Sequence, residues 1–376
     1  MRVTSPWIDA APTQALCAAL AAAGFQALFV GGCVRNALLG VAVGDIDIAT
    51  DAPPKTVSDI AVRAGFRAVP TGIAHGTVTI IAGGIPHEVT TFRRDVETDG
   101  RRAVVAFSSD VAEDAARRDF TMNALYAKAD GTVIDPLDGL PDLLARRVRF
   151  VGTPEARIRE DYLRILRFFR FHAHYGDPDG GIDAEGLAAC AALNAGLETL
   201  SAERITAETC KLLSAPDPAP AVAAMAQAGV LARILPGADA QPLAPLVHLE
   251  AGIQPRWQRR LAVLGGDRAG LRLSRADSVT VTAIGDEIGS LQSAAALGFL
   301  HGEDTATDIL LARAALLSPL PENWQADVAR GAAARFPVAA ADLPNLSGPA
   351  LGARLKDLRA RWLNSDLRLS REELLA

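Results

Sequence analysis

The feature that most constrains this 376-residue chain is a strand-like stretch in which two carboxylates alternate with isoleucine. It is residues 44–50, GDIDIAT. Side chains two positions apart on a strand share one face and lie about 6.5 Å apart, so Asp45 and Asp47 converge while the isoleucines face the other way. Two like charges at that spacing raise each other's pKa unless a cation lies between them. The pair therefore indicates either a divalent-metal site or the solvated polar face of an edge strand.

A glycine pair lies just before this stretch, in LFVGGCVRNALLG. The pattern predicts a strand over 27–30, a turn at Gly31 and Gly32, and a helix over 34–39. Backbone amides at a helix start suit a phosphate group, and Arg35 lies one turn into the helix, within reach of the same anion. Glycine turns are common, but a phosphate cradle, an arginine and two same-face carboxylates within seventeen residues indicate a nucleoside triphosphate held beside a metal.

Magnesium is the ion that such a carboxylate pair would hold. Two Mg²⁺ ions bridging Asp45 and Asp47 could activate an attacking hydroxyl and stabilise a pyrophosphate leaving group. A third carboxylate is expected on a neighbouring strand, and Glu88 in HEVTTF is the candidate by position. The alternative is that Glu88 is an ordinary strand-surface residue.

An arginine-rich run, RRDFTMNALY at residues 117–126, adds two further candidates. Arg118 could bind phosphates, and the Asp119 carboxylate could accept a hydrogen bond from a ribose hydroxyl. The alternative is a solvated helix start.

The segment REDYLRILRFFRF is predicted to lie on one helix over 153–174. Asp161 and Arg164 are then neighbours on one helix face. They could form a simple intrahelical salt bridge. A carboxylate beside a guanidinium also complements the amino donor and ring-nitrogen acceptor of both cytosine and adenine, whereas uracil and guanine present the reverse order. Arg167 and Arg170 continue the spacing of three, which drifts about 60° per step, so Arg167 reaches the same ligand more easily than Arg170.

Composition narrows the class of protein. The chain length predicts two or more domains. A net charge of −6 argues against indiscriminate nucleic-acid binding. We expect no leader and no membrane span. The cysteines lack CxxC spacing, which fits free thiols in a reducing cytoplasm and argues against structural zinc; they are Cys17, Cys33, Cys190 and Cys210.

The predicted fold class is an α+β head followed by a long all-helical region. Short strands, two hairpin patterns and helices fill residues 1–149. From Thr153 the sequence reads as helix only, with Thr153-Pro154 as a helix start. We expect a neck of helices over 150–215 and a helical body and tail over 216–376.

With these motifs in place, the sequence resembles the class II CCA-adding tRNA nucleotidyltransferases, which are related to bacterial poly(A) polymerases. The resemblance covers roughly residues 25–235. Five stretches carry it in order: GGCVRNALLG with DIDIAT, RRDFTMNAL, DPLDGLPDL, EDYLRILRF and ERITAE. One departure is visible, because the family usually has Arg-Asp where this chain has Arg35-Asn36. Asparagine keeps an oxygen but loses the charge.

The resemblance implies template-independent addition of CCA to the tRNA 3′ end from CTP and ATP, with release of pyrophosphate. It implies a polymerase-β-type head followed by neck, body and tail in a seahorse arrangement. The expected partners are tRNA, CTP and ATP, with neither a membrane nor DNA. The residues implied to contact CTP or ATP are Gly32, Arg35, Arg118, Asp161, Arg164, Arg167 and Arg170, and those implied to hold Mg²⁺ are Asp45 and Asp47.

Several alternatives stay open. Poly(A) synthesis is disfavoured because GFRAVPTGIAHGTVTI resembles the CCA-adding type. A CC-only enzyme is disfavoured because residues 95–107 occupy the place of the flexible element needed for the last A. A non-catalytic tRNA- or nucleotide-binding protein would have no reason to keep Asp45, Asp47 and Arg118. Six arginines past residue 250 could touch tRNA phosphates or form a solvated face; they are Arg256, Arg259, Arg260, Arg268, Arg272 and Arg275.

Overall fold

The computed structural model describes residues 1–73, 76–99, 102–316 and 318–376, without the side chains of 95–99 and 102–105. The chain forms two compact units, Met1–Leu200 and Ser201–Ala376. The predicted fold class, an α+β head followed by helices, is confirmed. The described residues beyond Phe150 contain helices and no strand. The boundaries of head, neck and body stay predictions.

A seven-stranded mixed sheet forms the centre of the first unit, in the order β3-β4-β5-β2-β1-β8-β9. Strands β2 and β5 are parallel, and the other neighbours in this sheet are antiparallel. A separate hairpin is made by β6 and β7. The strands are β1 Leu28–Val30, β2 Ile46–Thr50, β3 Arg67–Gly72, β4 Thr77–Ala82, β5 Ile85–Thr91, β6 Arg93–Asp99, β7 Arg102–Phe107, β8 Tyr126–Ala127 and β9 Val133–Ile134.

Strand β2 lies inside the sheet, between β5 and β1, and this position decides the orientation of the carboxylate pair. Ile46 and Ile48 are buried, whereas Asp47 is partly exposed. The alternation predicted from the sequence is therefore present, but on a central strand. The solvated edge-strand alternative for this stretch is wrong.

The β6–β7 hairpin covers most of the predicted flexible element at 95–107. Its two strands pair in antiparallel fashion, with a register irregularity between Asp95 and Glu97. Residues 100 and 101, at its tip, lie outside the described residues. The prediction of a flexible element therefore stays a prediction.

Eight α-helices belong to the described part of the first unit. They are α1 Ala11–Ala22, α2 Gly32–Leu38, α3 Pro54–Arg63, α4 Val111–Ala116, α5 Leu140–Leu144, α6 Pro154–Glu160, α7 Leu163–Tyr175 and α8 Ala184–Leu193. Short 3₁₀ turns span Thr121–Asn123 and Asn194–Thr199.

The prediction of a single helix over 153–174 is wrong, because the helix is interrupted between α6 and α7. Asp161 has an extended backbone (φ −156°, ψ 105°), and its side chain accepts a hydrogen bond from the Leu163 amide at 3.1 Å. The Arg157 guanidinium, in the last turn of α6, donates to the backbone carbonyls of Arg117 and Arg118. These tertiary bonds fix the end of α6 independently of α7.

The second unit is helical throughout its described residues. Its helices are α9 Ala202–Leu213, α10 Ala219–Gln227, α11 Val230–Ile234, α12 Leu243–Leu249, α13 Trp257–Leu264, α14 Arg275–Glu287, α15 Ala294–Leu316 (interrupted at Gly302), α16 Trp324–Ala333, α17 Gly348–Asn364 and α18 Arg371–Leu375. None of the helices in the described part of the chain combines the length and the hydropathy that a bilayer crossing requires.

A buried ionic network lies inside the second unit. Arg259 and Arg260 are fully buried. Both guanidiniums pair with Glu250, and Arg259 also pairs with Asp308 at 2.8 Å. Arg260 donates further to the carbonyls of Leu213, the last residue of α9, and of Ala215, just beyond it. The prediction that these two arginines belong to an exposed phosphate-binding cluster is therefore wrong, since they have no access to an RNA backbone.

Candidate active site

Three carboxylates gather on the sheet at β2 and β5. Asp47 is the register partner of Glu88 in the parallel pair, and Asp45 lies just before β2. Burial raises the pKa of Asp47 to about 6, and the neighbouring charges of Glu88 and Asp45 add to this while Arg118 opposes it. The structure thus places Glu88 directly beside Asp47, where a third metal-site carboxylate was expected.

The donor set at this point fits a hard divalent ion. Within the described part of the chain, the carboxylates of Asp45, Asp47 and Glu88 make no hydrogen bond or ion pair, although Asp47 is half-buried. Among all the residues that the structure describes, no three His, Cys, Asp or Glu side chains are close enough together to hold a metal ion by themselves. Mg²⁺ is usually held by one or two carboxylates and completed by water and substrate phosphates. Nucleotidyltransferases generally use a divalent metal.

The glycine turn lies beside these carboxylates. Gly31 has φ 69°, a conformation that favours glycine, and caps α2. A Cβ atom at Gly31 would lie 3.3 Å from the Arg118 guanidinium. Gly32 begins α2, and the Cys33 thiol packs against the Asp47 backbone carbonyl at 3.7 Å. The turn therefore lies next to Arg118 and to the backbone of β2, and its role in binding a phosphate stays a prediction.

Arg35 is held mainly by neutral partners. Its guanidinium donates to Asn36, to Asn123 and, at 2.8 Å, to the Tyr175 hydroxyl of α7. It also stacks over the Tyr175 ring, 4.0 Å from the ring centroid. Burial lowers the pKa of Arg35. These four hydrogen bonds to three neutral side chains use four of the five guanidinium N–H groups.

Asn36 stands where the family usually has aspartate, and it makes a hydrogen bond that an aspartate could not make. Its side-chain oxygen accepts from Arg35 at 3.1 and 2.8 Å, and its nitrogen donates to the Ala42 carbonyl at 2.9 Å. A carboxylate could make the first contact but not the second, because it has no N–H. Asn36 therefore ties Arg35 to the loop that precedes β2.

Asp119 sits at the junction of the head and helix α7. It accepts from Asn123 at 2.9 Å through one oxygen and pairs with Arg167 through the other. Burial raises the pKa of Asp119, but Arg167 and Asn123 outweigh it, so the net pKa is lowered. Because Asn123 also bonds Arg35, a continuous chain of hydrogen bonds links Arg35 to Arg167. Asn123 was missed by the sequence reasoning, although it belongs to the RRDFTMNAL motif.

The predicted base-reading pair is arranged differently from the helical geometry that we expected. Arg164 pairs with Glu160 at 2.5 Å and also donates to the Arg157 carbonyl. Asp161 caps the start of α7 instead. Glu160 thus orients the guanidinium next to Asp161. It was missed by the sequence reasoning, and its spacing of four from Arg164 was the available signal.

Arg170 completes the group of predicted site residues. Its guanidinium lies 4.5 Å from the centroid of the Phe171 ring, and those of Arg35 and Arg167 each lie 5.2 Å from it. Apart from Arg118, the sequence predicted four site arginines, and three of them (Arg35, Arg167 and Arg170) lie around the Phe171 ring. The sequence reasoning assigned Phe171 to the core, and it is indeed buried.

The metal-side and base-side groups meet at residues 117 and 118. Arg157 donates to the carbonyls of Arg117 and Arg118, and Arg164 approaches the Arg117 carbonyl at 3.4 Å. The Arg118 guanidinium lies beside the turn at Gly31, and its charge lowers the pKa of Asp47. One backbone segment therefore connects the arginines at the end of α6 and the start of α7 to the side chain that lies beside the glycine turn.

Comparison with known proteins bears on the same segments. The poly A polymerase head domain family matches residues 27–149, and the family described as the probable RNA and SrmB-binding site of polymerase A matches residues 181–241. The mitochondrial CCA tRNA nucleotidyltransferase 1 of Danio rerio is 33% identical over 377 residues, covering 94% of this chain and 86% of the relative. The chain belongs to the CCA-adding tRNA nucleotidyltransferase family.

Other members of the CCA-adding family match more locally. The human CCA tRNA nucleotidyltransferase 1 is 46% identical over 184 residues, 49% of this chain and 42% of that protein. The CCA-adding enzyme of Lacticaseibacillus paracasei is 44% identical over 198 residues, 52% of this chain and 48% of that protein. The alignment thus spans about half the length of these two relatives.

A solved structure of the family agrees over nearly the whole chain. The Bacillus stearothermophilus CCA-adding enzyme in complex with CTP superposes with a TM-score of 0.73 at 28% identity, covering 96% of this chain and 94% of the other. The Thermotoga maritima CCA-adding enzyme complexed with tRNA gives 0.71 at 20% identity, covering 99% and 95%. The second likeness concerns the fold alone.

Proposed function

We propose that this protein is a nucleotidyltransferase that adds CCA to the 3′ end of tRNA from CTP and ATP, without a template and with release of pyrophosphate. The observation that carries the proposal is the position of Arg118. Its guanidinium lies beside the glycine turn and its charge lowers the pKa of Asp47, and its backbone carbonyl accepts a hydrogen bond from Arg157. A single triphosphate can therefore touch both the DxD side and the arginines of α6 and α7.

The proposed reaction is in-line attack of the tRNA 3′-hydroxyl on the α-phosphate of the bound nucleotide. Asp45 and Asp47 would hold Mg²⁺, which supplies activation of the hydroxyl and charge neutralisation of the leaving pyrophosphate. Arg118 and the amides after Gly31 bind the phosphate oxygens. Catalysis then rests on positioning and on compensation of negative charge rather than on covalent chemistry.

Base selection is assigned to the start of α7. Arg164, oriented by Glu160, presents N–H donors, and Asp161 presents acceptors. This order complements cytosine and adenine and leaves uracil and guanine with unmatched groups, which is a strong basis for rejection. The ribose is assigned to Asp119, and Arg167 and Arg170 extend the nucleotide site along α7 toward Arg35.

Full CCA addition is favoured over two related activities, CC-only addition and poly(A) synthesis. The backbone hairpin of β6 and β7 occupies the place of the element needed for the terminal A, which argues against a CC-only enzyme. The acidic overall charge of −6 fits poorly with gripping arbitrary RNA ends as a poly(A) polymerase does. A non-catalytic binding protein is disfavoured because the carboxylates at β2 and just before it have no hydrogen-bond or ion-pair partner among the described residues.

The test is incorporation of labelled CTP into tRNA that lacks its CCA tail, with and without Mg²⁺. We expect incorporation that stops when EDTA is added. Binding of tRNA without incorporation would favour the non-catalytic alternative, and long adenosine tails on unrelated RNA would favour a poly(A) polymerase.

We also propose the neck at 150–215, the helical body and tail at 216–376, and a cytoplasmic location. Four free cysteines support a reducing compartment. The animal relatives carry the word mitochondrial in their names, so fractionation of the source cells is the measurement that decides between the two compartments.

A further inference from the structure

Two residues outside the proposed nucleotide site, Asp114 and Tyr126, hydrogen-bond to the Arg118 guanidinium. Its Nε donates to the Tyr126 hydroxyl at 3.0 Å, and one terminal nitrogen donates to an Asp114 carboxylate oxygen at 2.9 Å. The Tyr126 hydroxyl in turn donates to the same Asp114 oxygen at 2.7 Å. The three side chains form a closed triangle of hydrogen bonds.

Asp114 and Tyr126 are themselves fixed by the fold. Asp114 lies four residues before Arg118, the spacing at which side chains of a helical turn meet, and its side chain is 2% exposed. Its second oxygen accepts from the Arg93 amide at 3.3 Å. Tyr126 belongs to β8 and is fully buried in the core of the head. Asp114 and Tyr126 are thus both buried, whereas the Arg118 side chain is 21% exposed.

The charges of the triangle support each other. Burial alone would raise the pKa of Asp114, but Arg118 and Tyr126 outweigh it and lower the pKa. Burial alone would lower the pKa of Arg118, but Tyr126 and Asp114 outweigh burial, so the net pKa of Arg118 is raised. Both groups stay charged, and the Arg118 charge also acts on Asp47, whose pKa it lowers.

We infer that Asp114 and Tyr126 are positioning residues for nucleotide binding. They occupy the Nε and one terminal nitrogen of Arg118 and aim the other terminal nitrogen at the turn at Gly31. They also keep the guanidinium from moving onto Asp47, where it would compete with a metal ion. This inference rests on the proposed function, because it takes the turn at Gly31 as the phosphate site.

The variants are Asp114→Asn and Tyr126→Phe, which preserve side-chain shape, and Glu113→Gln as a matched control. Glu113 is on the same helix, and its carboxylate bonds Ser108 rather than Arg118. We expect Asp114→Asn to weaken CTP binding about tenfold by calorimetry, and Tyr126→Phe about threefold, because a charged hydrogen-bond partner holds the guanidinium more strongly than a neutral one. Magnesium binding without nucleotide should weaken about threefold in Asp114→Asn. Glu113→Gln should match the unsubstituted protein.

A double-mutant cycle separates positioning from a merely structural role. In an Arg118→Ala background, Asp114→Asn should no longer change CTP binding, because its only path to the nucleotide has been removed. An unchanged CTP affinity in Asp114→Asn, or the same loss with and without Arg118, would overturn the inference. Should Asp114→Asn not fold, the same cycle with Tyr126→Phe decides.

The outcomes also separate this inference from the function itself. If the unsubstituted protein adds no nucleotide to tRNA, the proposed function fails. If it is active and the variants bind CTP and Mg²⁺ as it does, only the positioning role fails.

Discussion

Asp47 and Glu88 lie opposite each other as register partners in the parallel pair of β2 and β5. Glu88 adds to the burial that raises the pKa of Asp47 to about 6. Neither carboxylate has a hydrogen-bonding partner in the described part of the chain. A cation between them would reduce both the repulsion and the cost of burial, which supports the proposal that this strand pair holds a metal.

Replacing Asp47 tests the metal assignment. We expect Asp47→Ala to reduce CTP incorporation about 100-fold or more, because a metal ligand is lost where charge develops. The control is Asp59→Ala, an exposed carboxylate on α3. Incorporation at the unsubstituted level in Asp47→Ala would refute the assignment.

Replacing Asp161 tests base reading. We expect Asp161→Ala to relax discrimination against UTP and GTP by about tenfold or more, measured as ratios of kcat/KM. The change also removes a helix cap, which costs about 1 kcal/mol.

Asp183→Ala is the matched control for that cap, because Asp183 caps α8 through the Gly186 amide. It should lower stability similarly and leave selectivity unchanged. Equal selectivity in Asp161→Ala and Asp183→Ala would contradict the base-reading role.

Asp119 is the predicted ribose contact. We expect Asp119→Asn to reduce the preference for ATP over dATP about tenfold, because a charged acceptor binds a hydroxyl more strongly than a neutral one. The measurement is the ratio of kcat/KM for the two nucleotides. Asp110→Asn, which changes an exposed helix cap on α4, serves as the control. A preference that survives in Asp119→Asn would remove Asp119 from the ribose site.

Asp142 gives a pH prediction outside the proposed site. Its side chain is 1% exposed and pairs with Arg147 and Arg149. Burial raises its pKa, but the hydrogen bonds from Thr121 and the two arginines outweigh this and lower it. A carboxylate with a lowered folded-state pKa stabilises the fold above its unfolded pKa of about 3.9. That stabilisation is lost as the pH falls through the folded-state pKa.

We therefore expect Asp142→Asn to lower the free energy of unfolding at pH 7 by about 2 kcal/mol. The difference from the unsubstituted protein should shrink as the pH falls below about 4. Urea titrations at several pH values measure this, with the exposed Asp138→Asn as control. A difference that does not depend on pH would contradict the ionic origin of the effect.

Much of the head could be predicted from sequence because its signals are local. The alternation in β2 and the glycine turn before α2 each follow from a few adjacent residues. Strand β3, Arg67–Gly72, was not predicted. It contains Pro70 and is largely exposed, as an edge strand permits, and only its pairing with β4 defines it.

Other features depend on contacts that are distant in sequence. The break at Asp161 accompanies bonds from Arg157 to the carbonyls of Arg117 and Arg118. The burial of Arg259 depends on Asp308, on a different helix. A charge pattern cannot show which basic residues have buried counter-ions, so the sequence over-predicted the exposed basic cluster.

The most direct test of the central claim uses tRNA that ends before its CCA tail, offered each nucleotide singly and then CTP and ATP together. The account predicts two added residues with CTP alone, three with CTP and ATP, and none with UTP or GTP. Products of other lengths with CTP and ATP, or extension with UTP or GTP, would contradict it.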